Sequence, residues 1–66
     1  MKIVANGKEV VLEGPQTLTA FLRGRELDPR FVVVERNGEP LERARYDQVQ
    51  LVEGDRLEVV RAVAGG

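Results

Sequence analysis

Hydrophobic and polar positions alternate with period two near both ends of the chain, and once between them they recur with helical period. Met1, Ile3 and Ala5 interleave with Lys2, Val4 and Asn6, the pattern of a half-buried strand. Asn6-Gly7 then predicts a tight hairpin, because a type I′ turn needs positive φ at both central residues. The return strand carries Val10 and Leu12 on one face and Glu9, Val11 and Glu13 on the other, and Gly14-Pro15 ends it. Thr17 is a good N-cap, its hydroxyl able to accept from a first-turn N–H. Leu18, Phe21 and Leu22 follow at i, i+3 and i+4, a single apolar stripe. Gly24 is the expected C′ stop of a helix of about two turns.

Past the Asp28-Pro29 loop, Phe31 to Glu35 is the most β-rich stretch, with three consecutive valines. Asn37-Gly38 predicts a second turn, after which Leu41 enters the core from a short connecting strand. Residues 42–50 are charged and irregular, with a turn of 3₁₀ helix expected around Arg45-Tyr46-Asp47 and Tyr46 packing over that segment. Glu53-Gly54-Asp55 is a tight turn into the last strand, Arg56 to Val63. Leu57 and Val59 point to the core, and Glu58, Val60 and Ala62 to the opposite face. The order β-β-α-β-(β)-β, closed by a right-handed crossover, sets the last strand beside the first and parallel to it. That arrangement is an α+β fold, the ubiquitin-like β-grasp: a mixed four- to five-stranded sheet packed on one short helix. The domain is expected over residues 1–62, with an exposed tail at 63–66. An SH3-like or OB-like barrel would want more turn-separated strands and less helix.

A chain of 66 residues has room for one modest core and buries only about 60% of the surface its unfolded form exposes. With no Cys and no His, disulfides and Cys/His metal sites are excluded. The net charge of −1 comes from finely interspersed signs, without the basic stripe that nucleic-acid binding needs. No apolar run approaches the roughly 18 residues of a membrane span, so no membrane partner is expected. Lys2 is followed by an alternating segment rather than the hydrophobic block of a signal peptide. A cytoplasmic location is the expectation.

Candidate chemistry is concentrated in Val63-Ala64-Gly65-Gly66. Two glycines carry no side chain and no preferred conformation, so they can be threaded into a narrow site on another protein. The plain alternative is a frayed end. The apolar face away from the helix, with Val4, Val33, Val60 and Ala62, is expected to dock partners. Strand propensity alone is the competing account of those residues. Glu35, Arg36, Glu58 and Arg61 are expected to rim the patch and set register.

In order and spacing, the chain resembles the ThiS family of small sulfur carriers. The resemblance runs through Ile3-Val4-Ala5-Asn6-Gly7, the helix start Thr17–Leu22, Val34-Glu35-Arg36-Asn37-Gly38 with Pro40, Arg45-Tyr46, Leu51-Val52-Glu53-Gly54-Asp55 and Val63-Ala64-Gly65-Gly66. The related MoaD family shares the fold and tail but is usually longer. Ubiquitin-type modifiers place a basic residue before the diglycine, where this chain has Ala64.

The resemblance implies a non-catalytic carrier for thiazole (thiamine) biosynthesis. Gly66 would be the adenylate and thiocarboxylate site, and Gly65, Ala64, Val63, Ala62, Val60, Val4 and Val33 the partner-binding residues. Implied partners are an E1-like adenylyltransferase (ThiF-type) using ATP and Mg²⁺, a thiazole synthase (ThiG-type) and a cysteine-derived sulfur donor. The carrier itself would bind no cofactor. Sulfur carriage for tRNA thiolation or molybdopterin, a ubiquitin-like modifier conjugated through Gly66, and an interaction module with an inert tail remain alternatives.

Overall fold

The computed structural model describes residues 1–62; Val63, Ala64, Gly65 and Gly66 lie outside the described residues. The first period-two segments form β1 (Lys2–Ala5) and β2 (Lys8–Val11), paired antiparallel with Ile3 opposite Val10. Asn6 and Gly7 between them have φ of 52° and 81°, the positive values of a type I′ turn. A Cβ on Gly7 would meet nothing within 4 Å, so it is the backbone angle, not space, that favours glycine there.

Helix α1 (Leu18–Gly24) begins as expected, with Thr17 Oγ1 accepting from the Ala20 N–H at 3.1 Å. Its end differs from the expected Gly24 stop. The N–H of Glu26 donates to Arg23 C=O at 2.9 Å, and that of Leu27 to Leu22 C=O at 2.9 Å. This pair of bonds is a Schellman motif, with Glu26 as the left-handed residue at φ 61° and Gly24 still inside the helix. The hydrophobic contact that completes such a motif decides the outcome: Leu27, at the position after the left-handed residue, returns to pack against the core.

A 3₁₀ turn at Pro29–Phe31 leads into β3 (Val32–Arg36), and the Asn37-Gly38 turn leads into β4 (Glu39–Pro40). Leu41 lies just past β4 and packs against the core. The second 3₁₀ turn spans Arg43–Arg45, two residues before its expected place. Tyr46 closes it by donating its N–H to Arg43 C=O, which frees the ring to enter the core. The last strand, β5, covers Arg56–Arg61; Ala62 follows it, and Val63, expected at its end, is outside the described residues.

Among the described residues five strands run in the order β2-β1-β5-β3-β4. β5 is parallel to β1 and antiparallel to β3, so the last of the described strands occupies the sheet's centre. Leu18, Phe21 and Leu22 of α1 are buried with Ile3, Val32, Val34, Leu51 and Leu57. Truncating one of the large fully buried members to Ala costs about 2–5 kcal/mol. Tyr46 belongs to this core rather than covering the irregular segment: it is 2% exposed. Its hydroxyl accepts from the Val34 N–H and donates to the Val32 C=O, both at 3.2 Å. β4 covers only the Glu35-Arg36 end of β3, and the phenol takes the place of a strand along part of the uncovered edge.

Candidate functional site

β5 is the described strand that leads toward residues 63–66 in sequence, and side chains pin it from both flanks. On one side, Asn6 Oδ1 accepts from the Val59 N–H at 2.7 Å and its Nδ2 donates to the Val59 C=O at 3.1 Å. The backbone pairing of β1 with β5 ends at Ala5–Leu57, and the Asn6 amide extends it by one more pair. On the other side, Asn37 Oδ1 accepts from the Arg56 N–H at 2.9 Å, while its own N–H donates to the Arg56 C=O. Each Asn-Gly turn thus supplies both a reversal and a clamp.

Asp55 anchors the start of β5 and is 3% exposed. Its carboxylate accepts from the Val52 N–H at 2.9 Å, the Arg36 guanidinium at 3.0 Å and the Asn37 amide at 3.2 Å. Burial raises its pKa, but the Val52, Arg36 and Asn37 bonds together outweigh that and hold it below its ordinary value. Arg36 is therefore committed to Asp55 and does not rim the sheet face as expected.

At the other end, the Ala62 N–H donates to Phe31 C=O at 2.7 Å, carrying the β3–β5 ladder beyond the strand's formal end. Val33 lies opposite Val60, and Glu35 opposite Glu58, on the face away from α1. Val33 is 46% and Val60 59% exposed. Val4 lies elsewhere on that face, in register with Arg56 and Glu9, so Glu58 separates it from Val60 along β5. The expected patch thus resolves into Val33, Val60 and Ala62 toward the end of β5, with Val4 apart. Arg61 lies opposite buried Val32, on the helix side of the sheet, and leaves Glu35 and Glu58 as the rim.

The structure adds Phe31, 49% exposed, to the residues singled out from sequence. Strand parity carried the signal, since Phe31 shares the alternation of Val33 and Glu35. Arg30 lies over its ring at 5.2 Å from the centroid and pairs with Asp28 at 2.8 Å. That pairing, together with the bond from the Arg30 N–H, brings the Asp28 pKa down to about 2. No group of three or more metal-ligating side chains occurs among the described residues, and no helix there is long and apolar enough to cross a membrane.

A mixed sheet with a parallel central pair, one helix on one face and a pinned last strand ending beside an apolar patch defines a β-grasp domain of the ubiquitin-like, diglycine-tailed kind. The ThiS family model matches residues 1–66. The sulfur carrier protein ThiS of Bacillus subtilis is 37% identical over 62 residues, which cover 92% of this chain and 94% of that protein. A thiazole synthase of Paramagnetospirillum magneticum is 41% identical over 66 residues, all of this chain. The chain spans only 20% of that synthase's length. The crystal structure of the thiamine biosynthesis protein ThiS from Geobacter metallireducens superposes with a TM-score of 0.84 at 32% identity, covering both chains completely. A solution structure of a thiamine biosynthesis protein from the same organism gives 0.79 at 32% identity, covering 100% of this chain and 88% of that one. The chain belongs to the ThiS family.

Proposed function

We propose that this chain is a sulfur carrier for thiazole formation in thiamine biosynthesis, with the sulfur held on the carbonyl of Gly66. A free α-carboxyl has a pKa of about 3.5, so at neutral pH it is an anion and a poor electrophile. An E1-like adenylyltransferase, using ATP and Mg²⁺, would join the carboxylate to AMP and release pyrophosphate. The terminal sulfur of a cysteine-derived persulfide would then attack the acyl carbon and expel AMP, leaving an acyl disulfide with the donor. A thiol reductant would cleave that S–S bond, giving a thiocarboxylate on Gly66 and a disulfide between reductant and donor. The thiocarboxylate sulfur, a nucleophile like other thiolates, would pass to a thiazole synthase.

The observation that carries this reading is the pinning of β5 as far as Ala62, four residues before Gly66. Clamped by Asn6, Asn37 and Phe31, the strand is held in place as far as Ala62. Gly65 and Gly66 then present no Cβ to crowd a tetrahedral intermediate, and two partners can enclose the same group at near-attack distance. A protein with no Cys can hold a covalent sulfur of this kind on a carbonyl. Kinship with a protein named for sulfur carriage, and with a segment of a protein named thiazole synthase, supports the thiazole branch. The chain acts as a co-substrate, not a catalyst, and Val33, Val60, Ala62 and Phe31 form the surface that both enzymes grip.

The test is thiazole phosphate formation in a reconstituted mixture of adenylyltransferase, synthase, sulfur donor and carrier. The chain lacking Gly66 is expected to support none while melting at the same temperature. Unchanged synthesis by that variant overturns the proposal. Conjugates to lysine side chains would instead favour a protein modifier.

A further inference from the structure

On the helix side of β5, opposite the valine patch, a groove of about 300 Å³ opens between the first hairpin, the end of α1 and the end of the last strand. Phe21, Leu27 and Val59 contribute apolar surface to it, and Lys8, Arg25 and Arg61 line it as well. No carboxylate is among the described residues that line it. None of the three cations forms an ion pair with another described residue. Arg25 lies over the Phe21 ring, 5.5 Å from its centroid, so its charge is held at the groove. In a chain of net charge −1 with interspersed signs, three converging cations around an apolar floor are a local exception. A second hollow of about 240 Å³ shares Leu27 and Arg61 but is also lined by Glu26 and Asp28, with Phe31 and Ala62 at its edge, so carboxylates stand beside the cation there.

We infer that this groove docks an acidic peptide segment of a protein partner. One apolar side chain enters over Phe21 and Leu27, while flanking carboxylates meet Lys8, Arg25 and Arg61. Charge complementarity selects the occupant. The apolar floor gives a peptide side chain contact area that a bare anion cannot use. The groove's short span, with Glu26 in the adjoining hollow, does not track a nucleic-acid backbone. Because this face is opposite the Val33–Val60 pair, a partner can hold the domain from both sides of β5. The inference is independent of the sulfur chemistry and is tested with peptides alone.

The probe is the blocked peptide Ac-Glu-Asp-Leu-Glu-Asp-NH2, titrated into the isotope-labelled protein and followed by amide NMR. The amide analogue Ac-Gln-Asn-Leu-Gln-Asn-NH2 and inorganic pyrophosphate are titrated in parallel. Saturable shifts at Lys8, Arg25, Leu27, Val59 and Arg61 are expected with the acidic peptide. They should weaken severalfold when sodium chloride rises from about 0.05 to about 0.3 M. The double substitution R25E/R61E should weaken binding about tenfold, and R25Q/R61Q by less, with the amide spectrum otherwise that of a folded chain. Absence of saturable shifts, equal binding of the amide analogue, shifts centred on Val33 and Val60, or equal binding of pyrophosphate at the same residues would each overturn the inference.

Discussion

The side chain of Asn6 and the backbone of Val59, fifty-three positions apart, exchange two hydrogen bonds in the manner of paired strand residues. A residue chosen for a turn is thereby also the outermost rung between the first strand and the last. Asn6→Ala should lose both bonds and strain the left-handed backbone, costing about 1–3 kcal/mol. Asn6→Gly keeps the turn and isolates the side-chain part, at about 1 kcal/mol. Urea denaturation measures both. An Asn6→Gly variant as stable as the parent, with unchanged hydrogen exchange at Val59, would mean that the amide does not hold β5.

Glu26 occupies a left-handed position that costs a non-glycine residue about 1–2 kcal/mol. Glu26→Gly should therefore stabilise the domain by about 0.5–1 kcal/mol, after the extra flexibility glycine brings to the unfolded chain. Thermal melts check this, with a rise in Tm expected. A fall in Tm would indicate that the Glu26 side chain contributes something the Schellman geometry does not contain.

Tyr46→Phe removes one hydroxyl and leaves the buried Val34 N–H without its partner, while the Val32 C=O keeps only the longer bond from the Arg43 guanidinium at 3.4 Å. The expected loss is about 1–3 kcal/mol. It should appear with faster hydrogen exchange at Val34, while a loss confined to the loop of residues 42–50 would contradict the role assigned to the phenol.

Asp55 makes stability depend on acid. Its folded-state pKa lies below its ordinary value of 3.8, so its contribution is complete above that value. The contribution is lost as pH falls through the lower folded-state value, where the native carboxylate takes up its proton. Asp55→Asn should reduce the unfolding free energy at neutral pH and flatten the decline in acid. Parallel stability–pH curves for the two proteins would show that the Arg36–Asp55–Asn37 group is not the source.

The exposed Val33–Val60 pair offers a separation of binding from folding. Val33→Ser and Val60→Ser should each change stability by less than about 1 kcal/mol. Together they should weaken association with the adenylyltransferase about tenfold. Calorimetric titration checks the second part, and unchanged affinity would move the docking surface elsewhere.

Much of this molecule was legible in its sequence because its local signals agree with its fold. The alternations at Ile3 and Leu57, the Thr17 cap, the Leu18–Phe21–Leu22 stripe and both Asn-Gly turns all report on neighbours close in sequence. The differences arise where distant residues decide. Gly24 satisfied the local rule for a helix end, but Leu27's return to the core set the stop at Glu26. Arg36 read as a surface charge until Asp55, nineteen positions away, claimed it. Val4 and Val60 share a face by parity alone, and only the β1–β5 register separates them along it. The groove cations Lys8, Arg25 and Arg61 come from β2, the cap after α1 and β5, so no spacing in the sequence groups them.

Sulfur on Gly66 is read out by intact-mass measurement. The full chain is incubated with ATP, Mg²⁺, the adenylyltransferase, a cysteine-derived persulfide donor and a thiol reductant. The expected result is a mass increase equal to one oxygen exchanged for sulfur, mapped by fragmentation to Gly66 and absent without ATP. An unchanged mass with an adenylyltransferase shown to be active, or sulfur located anywhere but Gly66, would contradict it.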